Sequence, residues 1–304
     1  MNFTIAGFYT KENIINKLLF LYEKFDHIFK KNIKISSLYD SFPNLKWNGG
    51  RVVDEEKIEI ETILNNIQNV NQLGVGINFV FTNFFIKESD FLDTKCNEIL
   101  EILSDNNLNG VIISSPNLKK YISYNYPNLK ITLSLTYFYN NIQNVKLALE
   151  NVVSDKVYNK VVIPPDLNSD YKLLEKLDPI ESVEILINET CYKNCIFKSE
   201  HYKLISLDNK YNTNYAKDYC HKKYKDAKND YLLIDKYLDL FNYTKVGINN
   251  FKISGRSLDD ETYVKFLCEY LIEDKYKDFF HLHMNNKIIN NLNFESIYTK
   301  KLVW

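Results

Sequence analysis

The chain has 304 residues, 25% of them charged and 45% hydrophobic, with 38 basic side chains against 39 acidic ones. That apolar share supports a full core and excludes a disordered tail or a fibre, while the even charge balance gives no broad cationic face for nucleic acid. Length alone allows one large α/β barrel or two ordinary domains.

The first residues, Met1 to Phe8, lack a basic stretch followed by an apolar run of signal-peptide length. No later window approaches about 18 uninterrupted apolar residues, so the expectation is a cytoplasmic protein without a membrane span. Short apolar runs then recur in order: Phe3 to Phe8, Ile33 to Tyr39, Gly76 to Phe81, Gly110 to Ser114, Ile131 to Leu135, Val157 to Ile163, Val183 to Ile187 and Ile248 to Ile253. These read as strands. The stretches between them carry helical period, as in Ile14, Ile15, Leu18, Leu19 and Tyr22, or Ile60, Ile63, Leu64 and Ile67. Helix-start signals stand at Thr10, at Ser89-Asp90 and at Ser115-Pro116.

Eight such strands alternating with helices predict a TIM-like (β/α)8 barrel rather than an open doubly wound sheet. No Gly-x-Gly-x-x-Gly follows the first strand and no Walker lysine loop occurs, so nucleotide and dinucleotide binding have no signature. The regular spacing breaks once, between the seventh and eighth strands. The predicted organisation is therefore a single barrel over residues 1–275, including a long cysteine-bearing insertion at 188–247, then a C-terminal helix and tail at 276–304.

Barrel chemistry sits at the C-terminal ends of the strands. That rule nominates Tyr39 and Asp40, Thr82 and Asn83, Ser114, Ser134 and Thr136, Pro164 and Asp166, Asn188, Glu189 and Cys191, and Ser254, Gly255 and Arg256 for one shared mouth.

Five cysteines occur in the chain, and three fall in the insertion as Cys191-x3-Cys195-x24-Cys220. Clustered thiolates suit a soft or borderline metal centre, either a cubane iron-sulfur cluster or a tetrahedral zinc with His201 or His221 as the nitrogen donor. The competing account makes them small buried hydrophobes, which is the expectation for Cys96 and Cys268 inside helical patterns. Arg51 and Arg256 are the only arginines, each next to glycine in Gly49-Gly50-Arg51 and Ser254-Gly255-Arg256. A planar fork suits bidentate capture of a carboxylate or phosphate; the alternative is an Arg tying loop carbonyls at the rim. Asn188 and Glu189 directly precede the cysteines and serve either to orient a ligand or to cap a strand end. His281-Leu282-His283 reads as a strand or an extended tail.

The segments from Asn188 to Tyr202 and from Val246-Gly247 to Phe251-Lys252-Ile253-Ser254-Gly255-Arg256 resemble peptidase family U32. So do Leu38-Tyr39-Asp40-Ser41, Gly49-Gly50-Arg51, Gly74-Val75-Gly76-Ile77-Asn78-Phe79, Gly110-Val111-Ile112-Ile113 and Ile131-Thr132-Leu133-Ser134, over about residues 1–275. The resemblance implies a TIM-like barrel and an iron-sulfur cluster, of the 4Fe-4S type, bound by Cys191, Cys195 and Cys220. It also implies oxygen-independent hydroxylation of a quinone precursor or an RNA with prephenate as oxygen donor, despite the peptidase name. His201, Lys252 and Arg256 match its motif positions. Tyr224 stands where a fourth cysteine is expected, and Leu232 to Tyr237 replaces an expected arginine-proline-glutamate segment.

The leading expectation is thus a U32-like iron-sulfur enzyme modifying a small molecule or RNA, with Arg51, Asn188, Glu189, Lys252 and Arg256 around the reaction. Arg51 and Arg256 would anchor a small anionic substrate or donor; RNA has no support in the net charge. The alternatives are a non-catalytic barrel that binds a small molecule or pairs with an active paralogous protein, with a structural zinc, and thirdly a peptidase. No Ser-His-Asp order and no His-Glu-x-x-His motif supports the last.

Overall fold

The structure, a computed structural model, describes residues 1–42, 45–49, 60–140, 142–189, 191, 195–216, 219 and 235–285. Eight parallel strands close into a barrel: β1 (Asn2–Ala6), β2 (Lys34–Asp40), β3 (Gly76–Phe81), β4 (Gly110–Ile113), β5 (Lys130–Leu133), β6 (Lys160–Val162), β7 (Val183–Leu186) and β8 (Asn250–Ile253). β1 pairs in parallel with both β2 and β8, which completes the ring. Every predicted strand is present, shortened by a few residues at one or both ends in most cases.

The helices between them are α1 (Glu12–Lys24), α2 (Ile60–Gln72), α3 (Thr94–Ser104), α4 (Pro116–Asn125), α5 (Val145–Ser154) and the single turn α6 (Tyr171–Leu174). α7 (Lys198–Tyr211) and α8 (Leu240–Lys245) lie in the insertion, and α9 (Asp260–Leu271) and α10 (Lys277–Asn285) follow the last strand. In α1 the buried side chains Ile14, Ile15, Leu18, Leu19 and Leu21 fall on one face, as a helix against a barrel requires. α4 starts where its sequence predicts, with Ser115 accepting from the Leu118 N–H and Pro116 in the first turn.

Two other start signals are displaced. Thr10 does not cap α1: its hydroxyl and its N–H both go to Asp40. A tertiary carboxylate here outcompetes the local cap. Ser89-Asp90 lies inside a 3-10 turn, Glu88–Leu92, and α3 is capped instead by Asp93, which accepts from Cys96 N–H. His281-Leu282-His283 belongs to α10, not to a strand or tail; three residues are too few to tell a period of two from one of 3.6. α10 packs on α1, with Lys17 Nζ donating to the Met284 carbonyl and the His283 ring stacked on Phe20.

The main core fills the space between strands and helices, where Phe3, Ile5, Leu38, Phe79, Ile113, Leu133, Ile185 and Phe251 meet the helical Ile15, Leu18, Leu100 and Leu267. The barrel interior differs. Thr4 on β1 donates to Glu184 on β7 at 2.7 Å and accepts from Lys160 on β6 at 3.2 Å, although β1 pairs with neither strand, so these bonds cross the lumen. Ser37 on β2 adds a bond to Thr4. The strands are therefore apolar outward and in part polar inward, not uniformly apolar on both faces. Among the described residues no helix is long and apolar enough to cross a membrane.

A candidate active site at the barrel mouth

At the C-terminal ends of the strands lies a cavity of about 110 Å3. Its floor is apolar, built by Tyr39, Val80 and Ile112 on one side and by Leu135, Val162 and Leu186 on the other. Its rim carries Thr82, Ser134, Thr136, Glu189, Tyr202, Lys252, Ser254, Arg256 and Ser257. Tyr202 comes from α7, so the insertion roofs the mouth.

Lys252 is the charged group nearest the floor. It occupies the third position of β8 and is buried, with its ammonium 3.9 Å from the centre of the Tyr39 ring and 3.9 Å from Glu184 Oε2. No hydrogen bond joins it to a described residue. Burial pushes its pKa down to about 8, although the Glu184 carboxylate pulls the other way. Glu184 is buried as well. Burial pushes its carboxyl up, but the ammonium groups of Lys160 and Lys252 outweigh that and hold it below the ordinary carboxylate value. Lys160, Glu184 and Lys252 thus form a column of alternating charge through the lumen, Lys160 Nζ lying 2.9 Å from Glu184 Oε1.

Arg256 stands above this column. Its guanidinium is 5.7 Å from the Tyr39 ring and makes one long hydrogen bond, 3.4 Å, to Ser41 Oγ. Asp40 is 3.7 Å away, but its carboxylate is already occupied by the N–H groups of Tyr9, Thr10 and Ser41 and by the Thr10 hydroxyl. Most of the Arg256 fork is therefore unspent and lines the cavity. Gly255 lets the chain reach this point: a Cβ there would lie 2.2 Å from the Tyr263 ring. The Tyr263 hydroxyl in turn donates to the Ala6 carbonyl, pinning α9 to the end of β1.

On the facing rim three hydroxyls form a chain. Thr136 Oγ1 donates to Ser134 Oγ at 2.9 Å and lies 2.5 Å from Ser114 Oγ. Beside them Lys198 of α7, 3% exposed, bonds Asp166 at 3.2 Å and the Tyr139 hydroxyl at 3.3 Å. Burial above all, then the nearby Tyr202 and Asp166, pushes the Tyr139 phenol far up, so it remains a donor to Asp166.

The sequence-nominated residues divide among these roles. Tyr39, Thr82, Ser134, Thr136, Glu189, Ser254, Gly255 and Arg256 share the mouth as expected, and so does Lys252. Asn188 is fully buried and clamps β7 to β8: its side chain donates to the Ser254 carbonyl at 2.8 Å and accepts from the Ser254 N–H at 2.7 Å. Asn83 likewise binds the carbonyls of Lys46, Asn48 and Ser206, joining two loops to α7. Neither reaches into the cavity. Cys96 and Cys268 are core residues, and burial raises both thiols, Cys268 to about 11.

Arg51, Gly50, Cys220, His221 and Tyr224 lie outside the described residues. Cys191 donates its N–H to Glu189, which places it beside the cavity rim. The Cys195 carbonyl accepts from Lys198 N–H at the start of α7, and the His201 ring stacks on Tyr219. A cluster needs at least three soft ligands on one centre. Among the described residues no three His, Cys, Asp or Glu side chains converge in that way. Cys191 and Cys195 have suitable donor chemistry, but the described residues alone do not complete the group.

Glu184, Lys160, Lys198 and Tyr139 escaped the sequence reading, whereas Asp166 was nominated and is found bonded to Lys198 and Tyr139. A signal existed for the first two: Glu184 in Val183-Glu184-Ile185-Leu186 and Lys160 before Val161-Val162-Ile163 are charges set into apolar strands.

Fold and site together define a (β/α)8 barrel with a small, charged, concave mouth. Residues 39–179, just under half of the chain, match the model of peptidase family U32. The matched segment runs from the end of β2 through β6 and stops before Cys191, so the cysteine stretch and the Lys252–Arg256 stretch lie beyond it. The solved structure of the U32 peptidase Mk0906 overlays with a TM-score of 0.51 at 10% identity, covering 84% of this chain and 92% of that one. At that identity the likeness speaks for the fold. No curated protein matches the sequence.

Proposed function

We propose that the chain is an enzyme acting on a small anionic molecule held in the barrel mouth. One observation carries this reading: two cations, Lys252 and Arg256, face the same cavity with few or no hydrogen bonds of their own, over an apolar floor. A buried cation left in that state is costly unless an anion completes it. The Arg256 fork would take a carboxylate or phosphate edge-on, and Lys252 would meet the part of the substrate nearest the floor. At about 110 Å3, against roughly 30 Å3 for a water in the liquid, the cavity suits a compound of a few heavy atoms. The test is calorimetric binding of small carboxylates and phosphate. Arg256→Lys should weaken binding about tenfold, the scale of a lost charge-assisted bond; unchanged affinity would remove the anion-site reading.

Cluster-dependent, oxygen-independent hydroxylation is the finer form of this proposal. It is supported by the resemblance of the cysteine stretch to U32 sequences and by the bond from Cys191 N–H to Glu189, a cavity-lining residue. A bound iron-sulfur cluster would supply electron-transfer or Lewis-acid chemistry at the rim. Anoxically purified protein should then contain iron and sulfide and absorb broadly in the visible, and Cys195→Ala should abolish both. Colourless protein carrying one zinc would favour the structural-zinc alternative, and cleavage of a defined peptide, blocked by Arg256→Lys, would favour the peptidase reading.

A further inference from the structure

We propose that Lys252 is an imine-forming nucleophile and that the substrate class of this mouth is a small 2-oxo acid, its carboxylate on Arg256 and its carbonyl carbon at Lys252 Nζ. The inference deepens the anion-site reading and rests on it.

The geometry supplies what such a step requires. Lys252 projects from β8 into the cavity, buried on all other sides and joined to no described residue by a hydrogen bond, so its nitrogen is available to a ligand. Amine nucleophiles of this type are lysines desolvated in apolar surroundings or set beside another cation. Lys252 has both: the Tyr39 ring lies against its ammonium, and Arg256 approaches from above. The groups facing it are Glu184, Lys160, Arg256 and Tyr39. Burial, the largest influence, together with the positive charges of Arg256 and Lys160, outweighs the pull of Glu184 and leaves its pKa at about 8. An appreciable share is therefore neutral amine near pH 7.5, far more than for an exposed lysine.

Arg256 and Lys252 both pack on the Tyr39 ring, so they sit within the length of a small molecule. A carboxylate on the upper cation brings an adjacent carbonyl carbon to the lower one. On the cavity lining the Ser134 hydroxyl, whose oxygen accepts from Thr136, offers its proton to the carbonyl oxygen. The step balances without an oxidant or reductant. The neutral amine adds to the carbonyl carbon, forming the C–N bond, and the carbonyl oxygen leaves as water with two hydrogens. Net, ammonium plus ketone gives iminium plus water. The product is an electron sink on the carbon skeleton, suited to bond changes next to the former carbonyl.

The full-length protein is incubated with pyruvate or glyoxylate, reduced with cyanoborohydride, and analysed by intact mass and peptide mapping. The expected result is one adduct per chain, on Lys252, lost in Lys252→Arg. The arginine variant keeps the positive charge beside Glu184, and its fold is checked by circular dichroism. Arg256→Lys keeps the positive charge beside Lys252 but loses the planar fork, so it should reduce labelling by pyruvate about tenfold more than labelling by neutral propanal, which separates anchoring from reactivity. Adducts spread over surface lysines, or none on Lys252, would overturn the imine. If small carboxylates still bind in that case, only the imine fails; if they do not bind, the anion site fails with it.

Discussion

Glu184 is the counter-charge on which the lumen depends, and Glu184→Gln measures that dependence. The carboxylate is 1% exposed and meets Thr4 at 2.7 Å, Lys160 at 2.9 Å and Lys252 at 3.9 Å. Removing one partner of a buried ion pair typically costs about 3–5 kcal/mol. Here the value should fall near 3 kcal/mol, because the glutamine oxygen keeps the Thr4 and Lys160 hydrogen bonds and Lys160 is partly solvated. The pH dependence follows from the shifted groups. Glu184 is held below its ordinary value, so its contribution is present above about pH 4.5 and lost as pH falls through the folded value. Lys252, lowered to about 8, penalises folding while protonated, and that penalty fades as pH rises from about 8 toward the unfolded value near 10.4. Near pH 10 Lys252 is already neutral in the parent chain, so the substitution should cost only about 1 kcal/mol there, the scale of an ordinary hydrogen-bond change. Urea unfolding at pH 7 and pH 10, read by fluorescence of the buried Trp47, gives both numbers. A loss under about 1 kcal/mol at pH 7, the worth of an exposed pair, would refute the buried-network argument, as would an equal loss at both pH values.

Asp235, buried beneath Tyr243 and Tyr270, has its carboxyl pushed up to about 6, chiefly by burial. The folded chain holds that proton more tightly than the unfolded one, so stability from this group falls as pH rises from about 4 to about 6. Asp235→Asn should flatten that decline by on the order of 1–2 kcal/mol in denaturation midpoints compared at pH 4.5 and pH 7. Asn188→Ala removes two hydrogen bonds between the ends of β7 and β8 and leaves the Ser254 N–H without its side-chain acceptor. It should cost about 1–3 kcal/mol in urea unfolding and, by loosening the strand that carries Lys252, weaken carboxylate binding; a stable variant with unaltered binding would show that the clamp is dispensable.

How much of this was readable in advance follows from what each feature depends on. Strands with continuous apolar runs, such as Gly110 to Ile113, announce themselves because burial of the outward face is a local demand of the sequence. Their regular alternation with amphipathic helices then leaves a barrel as the economical closure. Arg256 could be singled out because one arginine beside one glycine stands out in a chain with two arginines and 8 glycines. The Ser115 cap is local and was legible, whereas Thr10 was misread because its partner Asp40 is thirty residues away.

Composition and periodicity determined the strand order, the barrel class and which strand ends meet at the mouth, since each follows from contacts within one element or between neighbours. The tertiary structure alone decided which polar residues do chemistry and which do carpentry. Asn188 and Asn83 look like site residues in the sequence and prove to be clamps; Glu184 looks like an interruption and proves to set the charge of Lys252. That distinction depends on distances across a closed lumen, between strands that never pair, and nothing in the order of the letters encodes it until the ring is shut.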